Sequence, residues 1–409
     1  MSKKRTFLFL QGVCSPFFGR LADRLKADGH QVYKINFNVG DSVYWGLRPA
    51  WYYRGKLSEL RAFLKDIYER YGITDQILFG DRRPIHRPAV DQAETYGIRT
   101  HVFEEGCFRP HWITLERDGV NGHSLLPRDP DWFWEVGGKL PDYTEGKAFP
   151  ARFSLRVVHD VIYHTFGLYN PILFPHYRTH ALVNAAVEYA GYLYRLPFLG
   201  FHKPRDQALM DKLVGSATPF YLLPLQLGSD AQIRSHSRFD DMAQVMEFVM
   251  ASFACHAPSD ARLVIKNHPL DTGLTNYPKI ITRLSERFAL VGRVHYLETC
   301  NLGGMLGHAQ GLVTVNSTAG TLSLSYGCPT ISLGDPIYNL PGLTFQGHLD
   351  AFWQQRPVPD KELFRRFRNT VIHTTQINGG FYCPQGIALA VENSVKQLEP
   401  ERSPLEALL

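Results

Sequence analysis

The chain has 409 residues with 44 basic and 39 acidic side chains, a formal charge of +5. At about 150 residues per domain that length fits two or three domains, and 44% apolar with 20% charged residues excludes wholesale disorder. So small a basic excess also argues against nucleic acid as a partner.

The six cysteines (Cys14, Cys107, Cys255, Cys300, Cys328 and Cys383) are scattered, with no pair at C-x-x-C spacing. That pattern speaks against a disulfide scaffold or zinc ribbon and fits a reducing compartment. The apolar run in MSKKRTFLFLQG is too short for a signal peptide. The most apolar helical stretch, residues 181–196, is broken by Asn184, Glu188 and Arg195, so no bilayer span is expected. These features predict a cytosolic protein.

In chain order, residues 6–10 read as a strand buried on both faces. Ser15-Pro16 then opens a helix carrying Phe17, Phe18, Leu21 and Leu25, which Gly29 stops. A second strand follows at 31–37, and strand-helix-strand is the opening of a parallel α/β sheet. A helix on Leu57, Leu60, Leu64, Ile67 and Tyr71 ends at Gly72, followed by strands at 77–79 and 100–103. Periodicity weakens over about residues 108–210, which predicts partly irregular structure with helices near 152–165 and 180–196. A second α/β series begins at Phe220: strands at 220–227, 262–266, 291–297, 311–315 and 330–333, a helix at 238–255, and a final helix at 387–398 packing back on the first domain. The expected fold is α/β with two Rossmann-like domains and an interdomain cleft. The expected divisions are residues 1–210, 211–375 and a helical extension at 376–409.

Ligands of open parallel sheets sit beyond the carboxyl ends of the strands. There the first half places Gln11, Gly12 and Ser15, then Asp81, then Glu104 and Glu105. The second half places Gln226 and Asp230, then Lys266 and His268, then Asn316, Ser317 and Thr318. The segment from Val315 to Gly320 combines a strand end, hydroxyl caps and a glycine that lets the backbone approach a ligand, all suited to a phosphate. An ordinary helix N-cap has the same composition; Lys266 and His268 at a neighbouring strand end add donors for phosphate or carboxylate. Glu104 and Glu105 are adjacent on an extended chain and point to opposite faces, so at most one enters a cleft. Separated carboxylates beside an anion site are what glycosyl transfer requires.

The sequence has no G-x-G-x-x-G, P-loop, H-E-x-x-H or G-x-S-x-G, and its histidines miss metal-ligand spacing. Two aromatic-basic stretches, residues 44–54 and 152–178, read either as core aromatics with flanking charge or as a surface for anionic lipid headgroups.

Five motifs in order, QGxxSPFF, FEEGCFRP, PLQLGSDAQI, KNHPLD and VNSTAGTLSLSYGCPT, resemble the bacterial capsular polysaccharide biosynthesis family. Within it the chain is similar to the single-module β-Kdo transferases that start the glycolipid anchor of Gram-negative capsules. The resemblance implies a GT-B-like fold, CMP-Kdo as donor and phosphatidylglycerol or its lyso form as acceptor. It places the protein at the cytoplasmic face of the inner membrane, with other capsule biosynthesis and export proteins as partners. It implies a retaining reaction with Asp230 as nucleophile and a glutamate of the EEG motif, Glu105 ahead of Glu104, as acid/base. Lys266, His268, Asn316, Ser317, Thr318 and Gly320 match the donor-binding segments; Gln11, Gly12, Ser15 and Arg109 fall on the acceptor side. CMP leaves readily as an anion, so neither cofactor nor metal is expected. Two other readings share much of this pattern: a sugar-nucleotide enzyme of the 2-epimerase type, and a non-catalytic capsule assembly or export partner.

Overall fold

The computed structural model describes residues 4–179, 185–227 and 237–409. Its strands in the first half are β1 (Thr6–Phe9), β2 (Gln31–Asn36), β3 (Trp51–Tyr52), β4 (Asp75–Phe79), β5 (Arg99–Glu105) and β6 (Trp112–Arg117). In the second half they are β7 (Phe220–Pro224), β8 (Arg262–Lys266), β9 (Val294–Leu297), β10 (Gly311–Thr314), β11 (Thr330–Ser332) and β12 (Gln376–Asn378).

The chain divides into two compact units, Met1–Pro127 with Lys139–His180 and Arg368–Leu409, and Arg128–Gly138 with Ala181–Phe367. In the first unit β3-β2-β1-β4-β5 is a parallel sheet, extended by β6 antiparallel to β5 and by β12 antiparallel to β6. In the second unit β11-β10-β7-β8-β9 is wholly parallel. Counted from each unit's own first strand, both parallel sheets have the order 3-2-1-4-5, the Rossmann arrangement whose direction reverses beside the first strand. The fold is α/β of the GT-B-like class.

Two-sided burial explains the continuous apolar strands. In β1, Phe7 and Phe9 pack with Phe17, Leu21 and Ile387 on one face of the sheet, whereas Leu8 packs with Leu60, Leu64 and Ile67 on the other. In β7, Tyr221 and Leu223 join Val245, Val249 and Phe253, while Phe220 and Leu222 join Met210 and Leu213. A fully buried side chain of this size contributes about 1.5–3 kcal/mol relative to an exposed one. The expected elements from residue 6 to 79 are present, including the Phe17–Ala27 helix and a Leu60–Tyr71 helix closed by Gly72 in a left-handed conformation.

Three expectations are corrected. The region after residue 108 contains β6, whose antiparallel pairing puts no crossover helix before it and so gave no α/β rhythm to read. The helix begun at Ala185 continues through Pro197 and Pro204 to Gly215, and its last turns carry Met210 and Leu213 under β7. That helix therefore belongs to the second unit, and the division lies near 180 rather than 210. Residues 376–409 are part of the first unit, not a separate extension: β12 is an edge strand of its sheet, and Ile387, Ala390, Val395 and Leu398 of the Pro384–Leu398 helix enter its core. Packing of that helix against the Phe17–Ala27 helix agrees with the expectation that it folds back on the first domain.

Candidate functional site

In the first unit the sheet reverses direction between β1 and β4, and the residues that leave those strands make a polar cluster. The buried Gln11 donates from Nε2 to the hydroxyls of Tyr163 at 2.8 Å and Tyr177 at 3.1 Å. Its Oε1 accepts from Arg83 Nη1 at 3.1 Å, and the same guanidinium reaches the Gly12 carbonyl at 3.3 Å. Asn38 Nδ2 donates to the Tyr163 hydroxyl at 2.7 Å. Burial pushes the Tyr163 phenol well above its ordinary pKa, so it stays neutral. Ser15 is buried and its Oγ accepts from the Phe17 amide at 3.3 Å, a use at the helix start. Burial raises the Cys14 thiol to about 12, which keeps it protonated and unreactive.

Glu104 and Glu105 end β5, opposite Thr114 and Ile113 of β6. The Glu105 Oε1 accepts from Arg156 Nη1 at 3.0 Å and from the Tyr382 hydroxyl at 3.2 Å, while Arg109 Nη2 stands 4.0 Å from Oε2. Burial alone would lower the Arg156 pKa; the Glu105 carboxylate overrides it and holds the guanidinium above its ordinary value. Glu104 accepts the Glu105 amide at 3.0 Å, and its Oε2 lies 3.5 Å from the place a β-carbon on Gly80 would occupy. Glu104 thus borders the exit of β4, next to the reversal point. At that exit Asp81 is buried, and burial raises its carboxyl pKa against the pull of His123 at 3.6 Å and Arg82 at 3.4 Å. A carboxyl with that character at a strand exit is suited to acid/base work.

In the second unit the reversal lies between β7 and β10. Gln226 and Asn316 lock the two exits together, Gln226 Nε2 donating to Asn316 Oδ1 at 2.8 Å and the Asn316 amide donating to Gln226 Oε1 at 3.2 Å. Ser317 Oγ accepts from the Ala319 amide at 3.1 Å, and the Tyr338 hydroxyl donates to the Ser317 carbonyl at 2.6 Å. A β-carbon on Gly320 would collide with the Tyr338 ring, so packing inside the unit by itself requires a glycine there. Thr318 precedes the seven-residue Ala319–Ser325 helix and makes no side-chain cap.

Lys266 closes β8, buried, with Nζ donating to the Asn267 carbonyl at 2.9 Å and its pKa lowered by that burial. His268 Nδ1 accepts from the Leu270 amide at 3.1 Å, which puts the proton of the neutral ring on Nε2. The loop is moulded by side chains that the sequence reading did not pick out as site residues. Glu298 Oε2 accepts from Arg195 Nη2 at 2.7 Å and Asn267 Nδ2 at 3.0 Å, and Arg195 Nη1 donates to the Asp271 carbonyl at 2.6 Å. Tyr192 adds a bond to the Leu270 carbonyl at 2.8 Å. Asp230 lies outside the described residues.

Sequence reasoning also missed Arg83, Asn38, Tyr163 and Tyr177 around Gln11, and Arg156 and Tyr382 around Glu105. Arg83 follows directly on the exit of β4 and was legible there. The tyrosines come from segments remote in sequence and carry no local signal.

A family model described as capsule polysaccharide biosynthesis protein matches residues 74–382, three quarters of the sequence. The chain belongs to that family. Among family relatives it is 35% identical to the capsule polysaccharide export protein KpsS of Escherichia coli, over 92% of this chain and 97% of that one. It is 36% identical to the capsule polysaccharide modification protein LipB of Neisseria meningitidis serogroup B, over 93% of each. Among solved structures it is similar to Thermosulfurimonas dismutans KpsC, described as a β-Kdo 2,7 transferase, with a TM-score of 0.44 at 13% identity, covering 96% of this chain and 99% of that one. In this member of the capsule family, EEG, KNHP and NST all lie at strand exits on carboxyl edges, the first in one unit and the other two in the second.

Proposed function

We propose that the protein is a retaining β-Kdo glycosyltransferase that moves Kdo from CMP-Kdo to phosphatidylglycerol or lysophosphatidylglycerol and so starts the linker of a capsular polysaccharide. The observation that carries this reading is the placement of titratable groups at the carboxyl edges of both units. Glu104 and Glu105, with Asp81, stand at strand exits in one Rossmann-like unit. Lys266, His268 and the Asn316–Thr318 exit stand in the other. A donor carrying a carboxylate beside its anomeric carbon and a phosphodiester next to it suits the second edge. A hydroxyl acceptor that must lose a proton suits the first.

In this reading the Asp230 carboxylate attacks the anomeric carbon, and the bond to the CMP oxygen breaks with its electron pair leaving on phosphate. The acceptor hydroxyl, giving its proton to a glutamate of the EEG motif, then displaces Asp230 from the same carbon, and two inversions give retention. The CMP phosphate carries its own charge away, so the reaction runs without a metal or cofactor; chelator treatment leaves activity intact on this reading. The lipid acceptor sets the place of action at the inner face of the inner membrane, among other capsule biosynthesis and export proteins.

The test is mass spectrometry of purified protein with CMP-Kdo and a short-chain phosphatidylglycerol, with Asp230→Asn alongside. A lipid heavier by one Kdo, absent in the variant, is the expected product. An untouched donor overturns the reading, and a screen of UDP-sugars then tests a 2-epimerase-type enzyme. The relatives' descriptions as export and modification proteins favour a second reading, a capsule assembly or export partner without chemistry. That reading requires Asp230→Asn to leave capsule formation in cells intact, whereas the transferase reading requires its loss.

A further inference from the structure

The Phe153–Gly167 helix is built inside out. It has fifteen residues and none is fully buried. The side chains of Arg156, His159 and Tyr163 face the protein. Arg156 pairs with Glu105 at 3.0 Å, and His159 uses both ring nitrogens, with Tyr44 Oη at 2.9 Å and the Tyr382 carbonyl at 3.1 Å. Tyr163 receives Gln11 and Asn38, and its ring lies where a β-carbon on Gly40 would be only 2.6 Å away. The apolar residues face solvent instead: Phe153, Val157 and Val161 form an i, i+4 stripe, with Phe153 54% exposed. Just beyond the helix Leu168 is 69% and Ile172 78% exposed.

A helix in water turns its apolar stripe to the core. This one is anchored by its polar stripe, and that inversion needs a second apolar surface outside. Residues 151–179 contain three Arg (152, 156 and 178) and a single acid, Asp160. Arg156 is occupied with Glu105, and Arg152 and Arg178, both exposed, precede and follow the apolar residues in sequence. Asp160 stands 3.6 Å from His164 on the same helix. An apolar stripe flanked by arginines is complementary to an anionic bilayer, where apolar side chains enter the acyl boundary and cations stay at the headgroups.

We propose that the outer face of residues 153–173 seats the protein on an anionic membrane surface, and that the same helix carries the carboxyl-edge groups on its inner face. Bilayer contact then bears directly on Arg156 and Tyr163, the partners of Glu105 and Gln11. The seat deepens the lipid-acceptor reading but its test uses no sugar donor, so the two fail separately.

The experiment is flotation of the purified full chain with vesicles of equal parts phosphatidylcholine and phosphatidylserine, against phosphatidylcholine alone. Phosphatidylserine supplies the charge without being the proposed acceptor. Wild-type protein floats with the anionic vesicles, and raising salt weakens the association several-fold. The double variant Val157→Glu with Val161→Glu stays in the soluble fraction with an unchanged circular dichroism spectrum. Ile172→Glu, at a more exposed site, gives the same loss should the double variant misfold. Wild-type protein that floats with neither vesicle overturns the proposal, as do variants that float like wild type. A wild-type dimer in analytical ultracentrifugation that the variants convert to monomer also overturns it, assigning the face to a second copy of the chain.

Discussion

The two units share one strand order and treat the carboxyl edge differently. In the first, side chains from remote segments converge on the edge: Tyr163, Tyr177 and Asn38 on Gln11, Arg156 and Tyr382 on Glu105. In the second, neighbouring strand exits hold one another, Gln226 after β7 with Asn316 after β10, Ser317 binds Ala319, and the KNHP loop is cast by Arg195, Tyr192 and Glu298. An edge built by remote partners responds to whatever moves those partners. An edge whose strand exits bind one another is held from inside its own sheet.

The largest expected effect is at the cast loop. Arg195→Ala strips the guanidinium from the half-buried Glu298 and from the Asp271 carbonyl. Loss of one partner from such a pair costs about 3 kcal/mol or more. Chemical denaturation should show that loss in the second unit, and Glu298→Gln in the same background should recover part of it. Full stability in Arg195→Ala would mean that the loop is not cast by this helix.

Acid should separate the units. In the first, His101 Nε2 lies 2.8 Å from Asp75 Oδ1, and Arg5 and Arg99 bind the same carboxylate at 3.1 and 2.9 Å. Burial holds the His101 pKa down to about 4. The unfolded chain, with histidine near its ordinary value of about 6.5, takes up a proton that the folded chain refuses, so unfolding is favoured as pH falls. Stability is intact above about pH 6.5 and drains away towards about pH 4, by on the order of 3 kcal/mol. Hydrogen exchange at falling pH should open the strands around His101 first; simultaneous opening of both units contradicts this.

Gly320→Ala drives a methyl into the Tyr338 ring, and overpacking of this kind costs about 1–3 kcal/mol. Adding Tyr338→Ala should relieve the clash. A Gly320→Ala protein as stable as wild type would mean that the Tyr338 ring can give way. The smallest effect is at the exit lock, where Gln226→Ala removes a reciprocal pair worth about 1 kcal/mol, read as a small drop in melting temperature.

Much of the fold was legible because five strands in each sheet are parallel and buried on both faces, so most of them read as apolar runs ended by a turn. Residues 262–266 were read as a strand and form one with those bounds. Legibility failed where the physics became non-local. The β6 strand pairs backwards, β12 joins from residue 376, and the Ala185–Gly215 helix runs through two prolines because its far end is pinned under β7. The first of the two aromatic-basic stretches is mixed: Trp45 is buried and Trp51 stacks on Tyr33, whereas Leu47 and Tyr52 are exposed. The second contains the exposed Phe153–Gly167 helix, and the sequence had left core and lipid-facing readings open there. The candidate residues at strand exits were readable from topology alone. The residues that aim them were not, since an arginine such as Arg156 or Arg195 looks like any other until its carboxylate partner is found.

The edge strand β12 and the helix after it also set a schedule. Phe7, Phe9 and Phe17 are synthesised at the start, yet Phe381 and Ile387, which pack in the same cluster, are made more than 360 residues later. The stretch Ala181–Phe367 in between supplies nearly all of the second unit. On the ribosome that second unit has most of its own sequence in hand while the first still waits for its closing strand. Its N-terminal aromatics must be shielded during that interval, and a nascent chain arrested before residue 376 should expose them to chaperones.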